Sequence, residues 1–410
     1  MNKYIKDAYF LFVLLFSGFS ITFFRSAEGL IALWALGLLI FWKSLLRPLS
    51  MPLFIALAVW MSYFGLSTVL IGSFHPFFMA TYIAKIMIAW WLLSYYRERI
   101  FIKYEDVIYY LAIISLVFYA WQVINPGSLF ILLDTLDLSQ DLFPHREYAS
   151  IGIYTFHQGY WFDFFPRNAG FSWEPGPFSC YIVLAMFFNL ARNKVQIRDT
   201  KRMSVFLLAI ITTQSTTGVL AIFPLVLWYV WVHFKNSYLL ICSMSIVFGL
   251  SFLLFTNVPY LQEKIISESE QNVEKVILNS IRYKRSYAPG RFASLQLGLI
   301  DLKNYPIAGI GGNTSLRYAT RRGAEVATIN GFANIMTRYG FIGVSLFLYL
   351  IFTSGKWMTR YFRVSGYLIF PALILTISFS FGIIESPIIV TLWLIPVFLK
   401  NTIYREKEHA

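Results

Sequence analysis

Charge is what this chain lacks. Only 13% of its 410 residues are Asp, Glu, Lys or Arg, while 58% are apolar and 19% aromatic. A soluble domain carries about 25% charged residues to keep its surface wetted. A chain this poor in charge takes lipid as its main solvent, which excludes a soluble enzyme, a disordered tail and a secreted disulfide scaffold. Cysteine is nearly absent: Cys180 and Cys242 both lie in apolar runs and read as inert core thiols rather than a bridge. The 5 histidines include no pair at metal-ligand spacing, so no metal site is expected. No Walker sequence is present, and no cofactor is expected. Repeats of fixed period are missing as well, which weighs against an inverted-repeat transporter. The net charge of +13 falls between apolar runs rather than in a basic patch, so it reports topology and not a nucleic-acid partner.

What the chain does have is a succession of long apolar runs. A spanning helix needs about 20 mostly apolar residues. Spans fall near 8–24, 29–46, 52–72, 77–96, 107–125, 176–193, 202–215, 218–234, 237–257, 331–354, 366–384 and 387–401. The expected fold is all-α: a polytopic integral membrane protein of about 12 transmembrane helices. Residues 1–125 form the first group of spans, 126–175 a first outward loop and 176–257 a second group. Residues 258–330 form a large outward loop with amphipathic helices, and 331–410 the last spans with a cytoplasmic tail. No small-residue cleavage site follows the first run, which is expected to remain as a helix.

Lys and Arg test this count. Lys43 and Arg47, then Arg97, Arg99 and Lys103, then Arg192 to Arg202, and finally Lys356, Arg360 and Arg363 all fall on one side. The short loops of the other side hold only Arg25. That asymmetry places both termini in the cytoplasm. The two long loops then face outward, and loops of that length in a compact protein tend to carry function. Within the second, 259–281 has apolar residues at helical spacing and reads as an interfacial amphipathic helix. A further helix is expected at 291–304, ended by Asn304-Tyr305-Pro306.

Candidate chemistry collects at the outward side. The large loop carries Arg282, Lys284, Arg285, Arg291, Arg317, Arg321 and Arg322, and its Lys plus Arg outnumber Asp plus Glu by 10 to 6. Arginines at an outer membrane face suit a phosphate, because guanidinium binds its oxygens bidentately and keeps its charge near lipid. Contact with lipid head groups alone is the alternative for any one of them. The run Arg167-Asn168-Ala169-Gly170-Phe171-Ser172-Trp173-Glu174-Pro175-Gly176 enters the span at 176–193. Pro175 suits a first helical turn, so Arg167 and Glu174 can meet at a helix mouth as anion binder and acid/base, or Glu174 can simply complement the helix dipole.

Gly309-Ile310-Gly311-Gly312-Asn313 permits close backbone approach, but it follows no strand and is not a nucleotide fingerprint. Asn330-Gly331-Phe332-Ala333-Asn334 and Arg338-Tyr339-Gly340 open the span at 331–354. Arg338, Lys85 and Glu385 are ionisable residues at membrane depth, where function and interfacial snorkelling compete as explanations. Asp134, Asp137 and Asp141 recur at helical spacing and read as a solvated face rather than a metal site.

Taken in order, the Arg-x-x-Gly-Phe-x-x-Glu-Pro-Gly run, Gln214-Ser215-Thr216-Thr217-Gly218 at a turn, Arg291 to Gly311, and Asn330 to Gly340 resemble the Wzy-type O-antigen and capsular polysaccharide polymerases. These share a superfamily with the O-antigen ligases. The resemblance covers nearly the whole chain in span number, topology and placement of the large loop. It implies a metal-independent glycosyltransferase at the outer leaflet of a bacterial inner membrane, with its active site facing the periplasm. Such an enzyme moves a growing glycan from undecaprenyl diphosphate to the non-reducing end of a new lipid-linked repeat unit and releases undecaprenyl diphosphate. Its partners would be the lipid-linked donor and acceptor, membrane lipid, a chain-length regulator and a flippase.

By motif match, Arg291, Glu174 and Arg167 are the implied catalytic residues. Arg282, Arg285, Arg317, Arg321, Arg322, Arg338, Asn330, Gln214 and Ser215 are the implied substrate contacts. Two departures separate this chain from the ligases. Ser215-Thr216 stands where ligases carry Ser-Arg, and Asn330 stands where they carry a histidine thought to activate the acceptor. Asparagine cannot serve as a base, which turns the expectation from ligase toward polymerase and leaves Glu174, then Asp301, as candidate bases. The rivals are an O-antigen ligase and a lipid-linked oligosaccharide flippase.

Overall fold

A computed structural model of the chain describes residues 3–45, 50–139, 148–157, 166–234 and 270–399, with 245, 266 and 268 in addition. The expected span at 237–257, Cys242, Asp141 and most of 259–272 lie outside the described residues. What is described is mainly helix. Four stretches are long and apolar enough to cross a membrane by length and composition: Met51–Ile71, Pro76–Ile124, Thr216–His233 and Gly331–Phe362.

The helices are α1 (Lys3–Ser17), α2 (Thr22–Arg25), α3 (Ala27–Leu45), α4 (Met51–Ile71), α5 (Pro76–Tyr96), α6 (Ile100–Ile124) and α7 (Pro126–Thr135). After a hairpin of β1 (Tyr148–Ser150) and β2 (Thr155–His157) come α8 (Pro175–Arg192), α9 (Thr200–Thr213) and α10 (Thr216–His233). The large loop holds α11 (Val273–Tyr283), α12 (Arg291–Asn304) and the short α13 (Tyr318–Arg321). The chain closes with α14 (Gly331–Phe362), α15 (Ile369–Ser380), α16 (Pro387–Trp393) and α17 (Ile395–Phe398). Proline opens α4, α5, α7, α8 and α16 within the first turn, where its missing N–H costs nothing and its fixed φ favours the helix. One apolar core joins α1–α6, α8–α10 and α14–α17, with α5 packed against α3, α4 and α16 and α8 against α6, α9 and α10, while α7 with the hairpin and α11–α13 form smaller clusters.

Several boundaries differ from the sequence reading. The first helix stops at Ser17 instead of running to 24. Gly18 lies against the carbonyl of Phe171, and Phe19 takes φ 51° and bridges to Ser172. The residues after α1 therefore pair with the chain entering α8 rather than continuing a helix. The stretch 126–175 contains an antiparallel hairpin, so the described fold is not purely helical. Asp137 lies beyond the end of α7 and braces a turn, accepting from the amides of Ser139 and Ser150; it is not on a helical solvated face. The last expected span is two short helices, α16 and α17, with Pro396 in the first turn of the second.

The glycines of the large loop have a definite task. α14 is interrupted at Gly340, which takes φ 60° and ψ −157°. The break frees carbonyls and amides that segment 306–311 captures: Ile310 and Gly311 donate to Thr337 O and Arg338 O, and Phe341 and Ile342 donate to Pro306 O and Ile307 O. Gly309 has φ 62°, and a Cβ there would sit 2.5 Å from the backbone of α14. Main chain meets main chain at Gly309, whereas a Cβ at Gly311 or Gly312 would meet the side chains of Ser67 or Phe78.

Candidate functional site

The start of α14 is the centre around which the predicted residues collect. Asn330 caps that helix, its Oδ1 accepting from Ala333 N at 2.9 Å, while its Nδ2 donates to Arg291 O at 3.3 Å. Asn330 is thus fully buried and used as a cap. Arg291, first residue of α12, donates to Glu268 at 2.5 Å and lies 5.3 Å above the ring of Phe381. Its Nε is buried and finds no acceptor among the described residues. Arg317 donates to Thr328 Oγ1 at 3.3 Å and to Asn334 Oδ1 at 3.2 Å, and its Nε is likewise left over. Burial and the positive charge of Arg338 push the Arg317 guanidinium down to about 10. Two arginines with donors to spare therefore flank one helix start, a place already favourable to anions.

Deeper along α14 lies a second constellation. Arg338 donates to Glu385 at 2.8 Å, and the hydroxyls of Tyr82 and Tyr339 donate to the same carboxylate at 2.8 and 2.5 Å. Lys85 sits 4.7 Å over the ring of Tyr82 and within electrostatic reach of Glu385. Tyr63 donates to the carbonyls of Ala308 and Arg338 at 2.7 and 3.1 Å. Trp60 stacks on Tyr82 at 4.4 Å and completes an aromatic wall. Lys85, Arg338 and Glu385 thus form one group, a juxtaposition that no local spacing in the sequence announces.

The entry to α8 contributes the third part. Arg167 donates through Nε to Thr213 O at 3.1 Å and through an Nη to Gln214 O at 3.2 Å. Gln214 holds a left-handed turn, and Ser215 caps α10 by accepting from Gly218 N at 3.2 Å. Arg167, Gln214 and Ser215 are accordingly brought together, as a clamp between the loop end and the α9–α10 turn. Glu174 precedes α8 without making a capping bond and lies within electrostatic reach of Arg25. Arg25 stands 5.4 Å over Trp173, and Trp173 meets Phe381 edge-on at 6.3 Å. Phe381 also packs so closely on Gly176 that a Cβ there would lie 2.1 Å from its ring. Two loops more than 100 residues apart in sequence thus meet at Phe381, with Arg291 over its ring and Trp173, next to Glu174, at its edge.

The remaining cations of the large loop point elsewhere. Arg282, Arg285, Arg321 and Arg322 are exposed. Arg322 pairs with Glu274, and Arg321 reaches Tyr305. Asp301 is buried, which raises its carboxyl above the usual range, and its oxygens accept from Tyr318 N at 2.7 Å and Thr337 Oγ1 at 3.3 Å. That geometry fastens α12 to α14 and occupies the carboxylate. Sequence reasoning named Trp173 only within the run before Glu174 and missed Phe381, Glu268 and Arg25 as parts of the site. Only Arg25 carried a signal, as the sole basic residue in the short outward loops. No group of three or more His, Cys, Asp or Glu that could hold a metal ion occurs among the described residues. No protein-family model, no curated protein and no solved structure matches the chain.

Proposed function

We propose that this chain is a polysaccharide polymerase: a metal-independent glycosyltransferase that lengthens a glycan on undecaprenyl diphosphate at the outer leaflet of a bacterial inner membrane. The proposal includes about 12 spans, cytoplasmic termini and a periplasmic site, as the hydropathy and charge pattern lead one to expect. The observation that supports it best is the meeting at Phe381 of Arg291 with the Trp173-Glu174-Pro175-Gly176 turn.

In this reading the leaving diphosphate gathers negative charge as the glycosidic bond to it breaks. Arg291, with an unpaired Nε, and Arg317 stabilise that charge in a partly dry site. Glu174 takes the proton of the attacking hydroxyl; Asp301 does not, since both of its oxygens already accept hydrogen bonds. Arg167 acts as a positioning residue that holds the Asn168–Glu174 turn against Gln214. The exposed Arg282, Arg285, Arg321 and Arg322 contact lipid head groups.

Surface polysaccharide from a strain deleted for the gene tests the proposal. Single repeat units on the lipid core, in place of a ladder, are the expected result. Bare core with long chains left on undecaprenyl diphosphate would make the protein a ligase. Lipid-linked single units held on the inner leaflet would make it a flippase.

A further inference from the structure

The Glu385 cluster is not used by this reaction scheme, and its charges do not cancel. Lys85 and Arg338 act on Glu385, so two cations face one carboxylate. The cluster lies well inside the bundle. Lys85 is about 13 Å along α5 from Pro76 and Arg338 about 10 Å along α14 from Gly331, at 1.5 Å per residue. An uncompensated positive charge at that depth is costly and calls for an anion. The side chain of Arg338 is 36% exposed although Glu385 beside it is 9% exposed, so the guanidinium has an open side.

The cluster also borders an apolar groove, with which it shares Tyr82 and Tyr339. A groove of about 700 Å³ is lined by Trp60, Tyr63, Tyr82, Tyr339, Leu346 and Trp393, among others. Tyr82 and Tyr339 belong to both features: they line the groove and their hydroxyls donate to Glu385. An apolar groove bordered by a surplus of positive charge is complementary to an amphiphile with an anionic head.

We infer that the groove and Lys85–Arg338 form a second lipid site, separate from Arg291, for a polyprenyl lipid with a phosphate or diphosphate head. The tail lies along Leu346 and Trp393, and the head meets Lys85 and the open side of Arg338. Its assignment as the acceptor's site rests on the polymerase reading: joining two lipid-linked glycans requires two lipid heads bound at once, and Arg291 accounts for one. The lipid site itself follows from the groove and the charges alone.

The full chain in phosphatidylethanolamine nanodiscs, photolabelled with a polyprenyl diphosphate carrying a diazirine in its tail, tests this. Label is expected on peptides of α4 and α14, displaced at least tenfold by unlabelled polyprenyl diphosphate. Added phosphatidylethanolamine or inorganic diphosphate should not displace it. Lys85→Met leaves the Arg338–Glu385 pair intact and should lower labelling at least fivefold, while Lys85→Arg should restore it. Leu346→Trp, which narrows the groove, should lower it similarly, and both variants should remain monodisperse. Labelling unchanged in both variants, or displaced equally by phosphatidylethanolamine, overturns the site. So does displacement by inorganic diphosphate as efficient as by the lipid. Arg291→Ala separates the two proposals, since it should abolish glycan extension and leave groove labelling unaltered. Intact labelling in a wild-type protein that extends no glycan would sink the polymerase reading alone.

Discussion

Two glutamates are buried among cations in this protein, and they are built to opposite ends. Glu105, 1% exposed, accepts from Asn189 and Arg192 at 2.8 Å and from Arg202 at 3.0 Å. Arg202 also binds Asp106 at 2.6 Å and Asp199 at 3.1 Å, so the two arginines meet three carboxylates that more than cancel them. The result ties the first turns of α6 and α9 to the end of α8 at one end of the bundle. Glu385, by contrast, is bound by two phenols and one arginine, with Lys85 left in excess. A network without positive charge to spare holds helices together. A network with positive charge left over suits a negatively charged group.

Mutations can break or sharpen this contrast. The largest effect is expected from Arg291→Ala: glycan extension should fall by about 10²–10³, the size of losing one charge-stabilising group, with protein remaining in the membrane. Wild-type chain lengths on a gel would remove Arg291 from the site. Glu105→Ala should cost stability and not chemistry directly, about 3 kcal/mol, at the low end for a broken buried ion pair because its arginines are partly exposed. Thermal unfolding in detergent would show it; an unchanged midpoint would mean the network is not a lock.

Glu174→Gln should lower extension by about 10²-fold, as for the loss of a general base, and Asp301→Asn by clearly less. The reverse order of chain-length defects would transfer the base to Asp301. Gly309→Ala sets a Cβ against the α14 backbone at positive φ, a strain of about 1–3 kcal/mol, visible as faster proteolysis of the large loop. The smallest effect is expected at the exposed Arg322–Glu274 pair. Hydrogen bonding from Arg322 holds the Glu274 carboxyl below the usual range. Its folded value being the lower one, the pair's contribution is present at neutral pH and lost as pH falls through that lowered value. Exposed pairs contribute little, so Glu274→Gln should melt like the wild type at neutral pH.

The sequence reading succeeded where the signal is local. Prolines and apolar runs located the starts of α4, α5, α8 and α12 to within a residue or two, because first-turn preferences act over a few positions. Arg291 and Asn330 were legible as residues, but the fact that one supplies the carbonyl the other binds was not. The Glu105 network joins positions 105, 192 and 202, and Glu385 joins positions 82, 85 and 338. Such pairings are decided by how helices pack and leave no period in the chain. The end of α1 at Ser17 was hidden for the same reason, since the partner that stops it arrives at residues 171–173.

The splice between segment 306–311 and α14 has a mechanical meaning. Four backbone hydrogen bonds carry the turn as if it were part of the helix, so the segment cannot lift away like a lid without unpairing the helix it mends. A pull on the loop at Arg317 would therefore be felt at Arg338 and at Phe341 alike, and the two parts of α14 on either side of the break would move with the loop that joins them.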